Sequence, residues 1–128
     1  MLRVFERVVK VRWRDTDALG HVNHAVFLTY LEEGRDGFYA EVLGDVMYVI
    51  VRLEMDWRAE VRQGEGTVTV HIEVERVGTT SLTTRETIRT ASGEIAGQAR
   101  VITVRWDPEL RKATPFSDAE RERLTSWS

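Results

Sequence analysis

A chain of 128 residues, 42% hydrophobic and 30% charged, has room for one domain with a real core and is too well balanced to be disordered. A formal net charge of −3 offers no polyanion footprint, so no nucleic-acid partner is expected. The absence of cysteine excludes disulfides, thiolate zinc sites and cysteine nucleophiles and fits a reducing, cytoplasmic setting.

The N-terminal run MLRVFERVVKVRW alternates and carries charge throughout, unlike a signal peptide. Phe5, Arg7, Val9, Val11 and Trp13 fall on one face of a first strand. Glu6, Lys10, Arg12 and Arg14 lie opposite, with Val8 the exception. From about His24 to Val42 the period lengthens. Phe27, Leu31, Gly34, Phe38 and Val42 form the stripe of an amphipathic helix, with Asn23 as N-cap and Gly44 as stop. Gly34 and Gly37 each cost about 1 kcal/mol inside a helix, so a close neighbouring backbone is expected to compensate.

Period 2 then returns. Val49, Val51, Leu53, Met55 and Trp57 alternate with polar residues, and a turn follows at 63–66. Val68, Val70, Ile72 and Val74 mark the next strand. A threonine-rich strand spans 81–90, a hairpin signal lies at 91–94, and a last strand covers 95–106 before Pro108. Ser117 and Glu120 have capping-box spacing and predict a short surface helix. No apolar run approaches the ~20 residues of a membrane span. The pattern is α+β, one domain over 1–128 with its core at about 5–106 and a tail at 107–128. A single helix must cover most of the sheet's apolar face, so the sheet has to curl around it.

The chemistry concentrates in WRDTDALGHVNHAVFLTY, residues 13 to 30. A carboxylate just before a helix start can serve as base or nucleophile. The same helix start offers unpaired N–H groups to a developing oxyanion. Simpler roles compete. Asp15 fits a turn residue or a partner of Arg12 or Arg14, and His21 fits a loop-orienting or substrate-positioning residue. Asp15, Asp17, His21 and His24 could be read as metal ligands, but the helix starts between the histidines, so no metal is expected. His71 reads as an exposed strand histidine. Arg85, Arg89, Arg100 and Arg105 are all candidates for phosphate contacts. Ser81 lacks a predictable base, and the four tryptophans read as core and interface.

The order of elements is similar to the hot-dog fold: a curled five-stranded antiparallel sheet around one long helix, with a short C-terminal helix. The segment DTDALGHVNHAVFLTYLEEGR resembles the signature of the 4-hydroxybenzoyl-CoA thioesterase branch of acyl-CoA thioesterases. Trp13, Asp15, Asp17, Gly20, His21, Val22, Asn23 and Tyr30 match, while His24 replaces a commoner asparagine. ArgValGlyThrThrSer at 76–81 is similar to a second, less specific family segment. The resemblance implies that Asp17 attacks the thioester or activates a water. It implies that the backbone N–H of His24 holds the carbonyl oxygen, with Gly20, His21, Val22, Asn23 and Tyr30 at substrate-binding positions. Acyl-CoA is then substrate, with no cofactor and no membrane partner. A dimer or tetramer is implied, with active sites where subunits meet. Two alternatives stand beside this: a non-hydrolytic acyl-CoA binding protein, and an enoyl-CoA hydratase or dehydratase. The latter's D-x-x-x-x-H spacing is missed by one residue from either aspartate.

Overall fold

In the computed structural model, which describes residues 3–128, strand β1 (Phe5–Lys10) precedes helix α1 (His24–Leu43). Four long strands follow: β2 (Tyr48–Trp57), β3 (Thr67–Val77), β4 (Ser81–Thr90) and β5 (Ile95–Asp107). They form one antiparallel sheet in the order β1-β3-β4-β5-β2, which curls around α1 in the hot-dog fold. Phe27, Leu31, Phe38 and Val42 of the helix are buried with Val70, Ile72, Leu82, Ile88 and Val101 of the sheet. The inward residues read from the sequence in β3 are all buried. Period 2 on a sheet buried on one face leaves no other choice.

Asn23 caps α1 as expected, its side-chain oxygen accepting the Ala25 N–H at 2.9 Å, and Gly44 follows the last turn. Gly34 lies tight against β3. A Cβ there would lie 2.9 Å from the Cβ of Val70 and would overlap its Cγ1.

Five expectations need correction. At Gly34 and Gly37 the close neighbours are side chains, of Val70 and of Phe5 and Arg7, and not the backbone expected. Trp13 does not continue β1: a single 3₁₀ turn at Trp13–Asp15 swings it out, and it is 78% exposed. In β2 a bulge between Ile50 and Arg52 shifts the register, so Tyr48 packs inward before it and Leu53 and Met55 after it, with Val51 exposed. A bulge adds one residue and reverses the phase of alternation, which a strict period-2 reading misses. A sixth strand, β6 (Lys112–Ala113), pairs with the end of β5. Finally, the C-terminal helix α2 (Asp118–Thr125) is docked: Phe116 and Leu124 are buried, and Trp127 packs edge-on against Phe5 and Phe38. Its Ser117–Glu120 capping box is present as read. The Glu120 carboxylate also takes a two-pronged bond from Arg105 at 2.9 and 3.1 Å.

Candidate active site

The segment between β1 and α1 is a tight, backbone-tied loop. Thr16 and Val22 face each other in an antiparallel bridge. The Asp17 N–H donates to the His21 carbonyl at 2.9 Å, and the Gly20 N–H donates to the Asp17 carbonyl at 3.1 Å. Gly20 adopts φ +84°, a left-handed position where a side chain would be strained. Val22 anchors the loop from beneath. It is buried, and its N–H donates to the Val61 carbonyl at 2.7 Å.

The two aspartates have different environments. Asp15 is buried. Its Oδ2 accepts the Tyr30 hydroxyl at 2.7 Å and the Arg12 backbone N–H at 2.9 Å. Its carbonyl accepts the Asn23 N–H at 2.9 Å. It is therefore the brace between the 3₁₀ turn and the helix cap. The Arg12 guanidinium, one expected partner, turns instead to Glu33 at 2.9 Å. Tyr30 is fully buried. Burial, then its bond to Asp15, pushes its hydroxyl well above the usual phenol range, so it stays protonated and donating.

Asp17 is partly open. Its Oδ1 accepts the Leu19 N–H at 2.9 Å and lies 3.6 Å from His21 Nδ1. Its Oδ2 accepts no hydrogen bond from the described residues. One oxygen is thus pinned and the other faces whatever arrives. His21 Nδ1 also lies 3.2 Å from the Val22 carbonyl. At the helix start the Ala25 N–H is taken by the Asn23 side chain and the Val26 N–H by the Asn23 carbonyl. The His24 N–H has no acceptor among the described residues. It is a free donor at the positive end of a 20-residue helix. The rings of His21 and His24 are parallel at 6.0 Å, and Trp57 lies over His24 at 5.3 Å.

The remaining candidates fall elsewhere. Arg85 and Arg100 share Glu75 at 2.9 and 2.7 Å, and their hydrogen bonds hold that carboxylate below its usual range. Arg105 is committed to Glu120. Arg89 bonds the Gly93 carbonyl at 3.0 Å. His71 is half-buried, 3.4 Å from Glu6. Among the described residues no three His, Asp or Glu side chains converge as a metal site would need, and no helix is long and apolar enough to cross a membrane.

Two features escaped the sequence reading. Arg35 on α1 and Glu86 on β4 form a fully buried, two-pronged ion pair at 3.0 and 2.8 Å, with Thr84 donating to the same carboxylate. The signal was there: Leu82, Thr84, Glu86 and Ile88 share the inward phase of β4, so Glu86 needed an inward partner. Burial opposes the Arg35 charge, but Glu86 and Tyr48 more than offset it and hold the guanidinium above its usual value. The second feature is a cavity of about 510 Å³ between α1 and β2, lined by residues that include Glu32, Asp36, Tyr48 and Ile50.

This fold and loop place the protein in a recognised class. Residues 19–96 match the family model of the thioesterase superfamily, and the chain belongs to that superfamily. The match begins two residues after Asp17. A predicted thioesterase from Bacillus stearothermophilus superposes with a TM-score of 0.87 at 29% identity, covering 96% of this chain and 95% of that one. A thioesterase from Thermus thermophilus, solved in complex with coenzyme A and Zn, has a TM-score of 0.85 at 30% identity, covering 95% of this chain and 92% of that one. YsmA of Bacillus subtilis, an uncharacterised protein, is 27% identical over 94% of this chain and 84% of its own length.

Proposed function

We propose that the protein hydrolyses acyl-CoA thioesters to a carboxylate and free CoA. The observation that carries this reading is the pairing of an Asp17 oxygen left open, its twin pinned by the Leu19 N–H, with a free N–H at the start of α1. In the reaction a C–O bond forms at the acyl carbon, from Asp17 Oδ2 itself or from a water that it deprotonates. The carbonyl π electrons move onto oxygen, where the His24 N–H and the helix dipole receive the charge. On collapse the C–S bond breaks and its electron pair leaves on the CoA sulfur. Thiolate is a good leaving group, so the site needs no strong acid to expel it. If Asp17 attacks directly, water then cleaves the anhydride and restores the carboxylate.

The coenzyme A bound to the Thermus relative supports a CoA thioester as the substrate. CoA enters as part of that substrate and leaves as a product, no other cofactor takes part, and the setting is cytoplasmic. Gly20, His21, Val22 and Asn23 shape the loop around the acyl carbon, and Tyr30 acts from beneath through Asp15. A second copy of the chain closes the site.

The test is incubation of the purified protein with a panel of aromatic, short, branched and long acyl-CoAs. Release of free thiol is expected. Binding without turnover would instead make the protein an acyl-CoA sensor, and a change in enoyl absorbance without thiol would make it a hydratase.

A further inference from the structure

We infer that Trp57 is a positioning residue of this site, a strut from the sheet that fixes the oxyanion-binding turn of α1. The inference rests on the thioesterase reading above. Trp57 is the last residue of β2, and its backbone is held in the sheet opposite Gly97 of β5, with the next N–H, that of Arg58, bonded to the Ala96 carbonyl at 2.8 Å. From this fixed base the indole N–H donates to the backbone carbonyl of His24 at 3.2 Å. The same indole lies against the His24 imidazole, centroids 5.3 Å apart and planes tilted by 30°. Behind it, His24 meets Phe27 edge-on at 6.1 Å and His21 in parallel at 6.0 Å.

His24 is therefore held at its carbonyl and at its ring, while its N–H stays free. That is what an oxyanion donor requires: the group that bonds the substrate must be unoccupied and the residue that carries it must not move. The first turn of a helix is its least secure part, because the N–H groups there lack the bonds that hold the interior. Asn23 secures the N–H of Ala25, and Trp57 secures His24 itself. The arrangement also gives the His24 side chain a purpose apart from chemistry, since the imidazole is the surface on which the indole rests.

The variant Trp57→Phe keeps an aromatic ring and deletes the N–H. We expect kcat to fall about tenfold with KM within about twofold, and no further fall when the change is made in a His24→Pro background, where the donor is already gone. Full kcat in Trp57→Phe would overturn the inference, as would losses that multiply in the double variant, since a merely structural role would be independent of the donor. Should Trp57→Phe fail to fold, 3-benzothienylalanine at position 57, with sulfur in place of the N–H, makes the same comparison in the native shape. Should the unsubstituted protein release no thiol from any acyl-CoA, it is the thioesterase reading that fails. The strut is then judged by the NMR order parameter of the His24 N–H, expected to drop from about 0.85 toward 0.6 without the indole N–H. An unchanged order parameter would sink it.

Discussion

The two aspartates of the D-x-D motif differ in burial and in partners, and the proposed reaction gives them different jobs. Asp15 is walled in and saturated by Tyr30 and the Arg12 N–H; Asp17 keeps a free oxygen. Asp17→Asn is expected to lose at least about a hundredfold in turnover, the scale of a positioned base, with its melting temperature preserved. Asp15→Asn should do the reverse. It weakens a buried charge-assisted bond, costing on the order of 2 kcal/mol in a urea melt, and lowers turnover far less. Equal turnover losses in the two would break this division of roles. At position 24 the backbone and side chain can be separated. His24→Asn restores the commoner family residue and should retain most thiol release, because the N–H survives and the Trp57 bond to the residue's carbonyl still holds it. His24→Pro removes the N–H yet suits the first turn of a helix. It should lose about a hundred- to a thousandfold in rate, the cost of one oxyanion donor. An inactive, folded His24→Asn would make the imidazole the working group.

Among the elements, α1 and α2 were legible to different depths. The cap at Asn23, the stop at Gly44 and the apolar stripe of α1 are local signals, and all are present. What Asp15 and Tyr30 do could not be read, because their bond spans fifteen residues and depends on where the 3₁₀ turn puts the carboxylate. The bulge in β2 likewise leaves no mark in the alternation. Gly34, in contrast, was marked as a close contact by being costly where it stands, although its neighbour is the Val70 side chain and not the backbone expected. Gly34→Ala gains about 1 kcal/mol of helix propensity but drives a methyl into Val70, and overpacking of this kind costs about 1–3 kcal/mol. The net expectation is a lower denaturation midpoint. A stabilised Gly34→Ala would mean that Val70 can yield.

Helix α2 is fastened by Glu120, and this gives its docking a pH dependence. Burial alone would raise the Glu120 carboxyl; the Arg105 fork and the Ser117 cap outweigh burial and hold it below its ordinary 4.5. A carboxylate whose folded value is depressed contributes in full above its unfolded value, and the contribution drains away as pH falls through the folded one. Glu120→Gln should therefore cost on the order of 2 kcal/mol at pH 7, read by urea unfolding. The difference from the unsubstituted protein should shrink below pH about 4.5. A gap that stayed constant down to pH about 3, below the ordinary carboxylate range, would show that Glu120 acts by shape alone.

At the scale of the whole molecule, the sheet ends on an edge that asks for company. One helix cannot cover all five main strands, and β2 is the strand left most open. Ile50, Val51 and Trp57 are exposed along it and Met47 just before it, although an unpaired apolar edge is a liability for a protein that works alone. The candidate-site loop adds Leu19, 79% exposed, beside the carboxylate that the proposed reaction would need to shield from water. A second copy applied to β2 would answer both needs, continuing the sheet and roofing Asp17 with the partner's surface. The expected state is a homodimer with twofold symmetry, in which each subunit completes the other's site. Light scattering at assay concentration should give the mass of at least two chains. Val51→Asp, which puts a charge on the bulged edge away from Asp17 and His24, should shift the mass toward monomer and reduce turnover with it. An active monomer, or a Val51→Asp monomer with full turnover, would show that one chain encloses its substrate unaided.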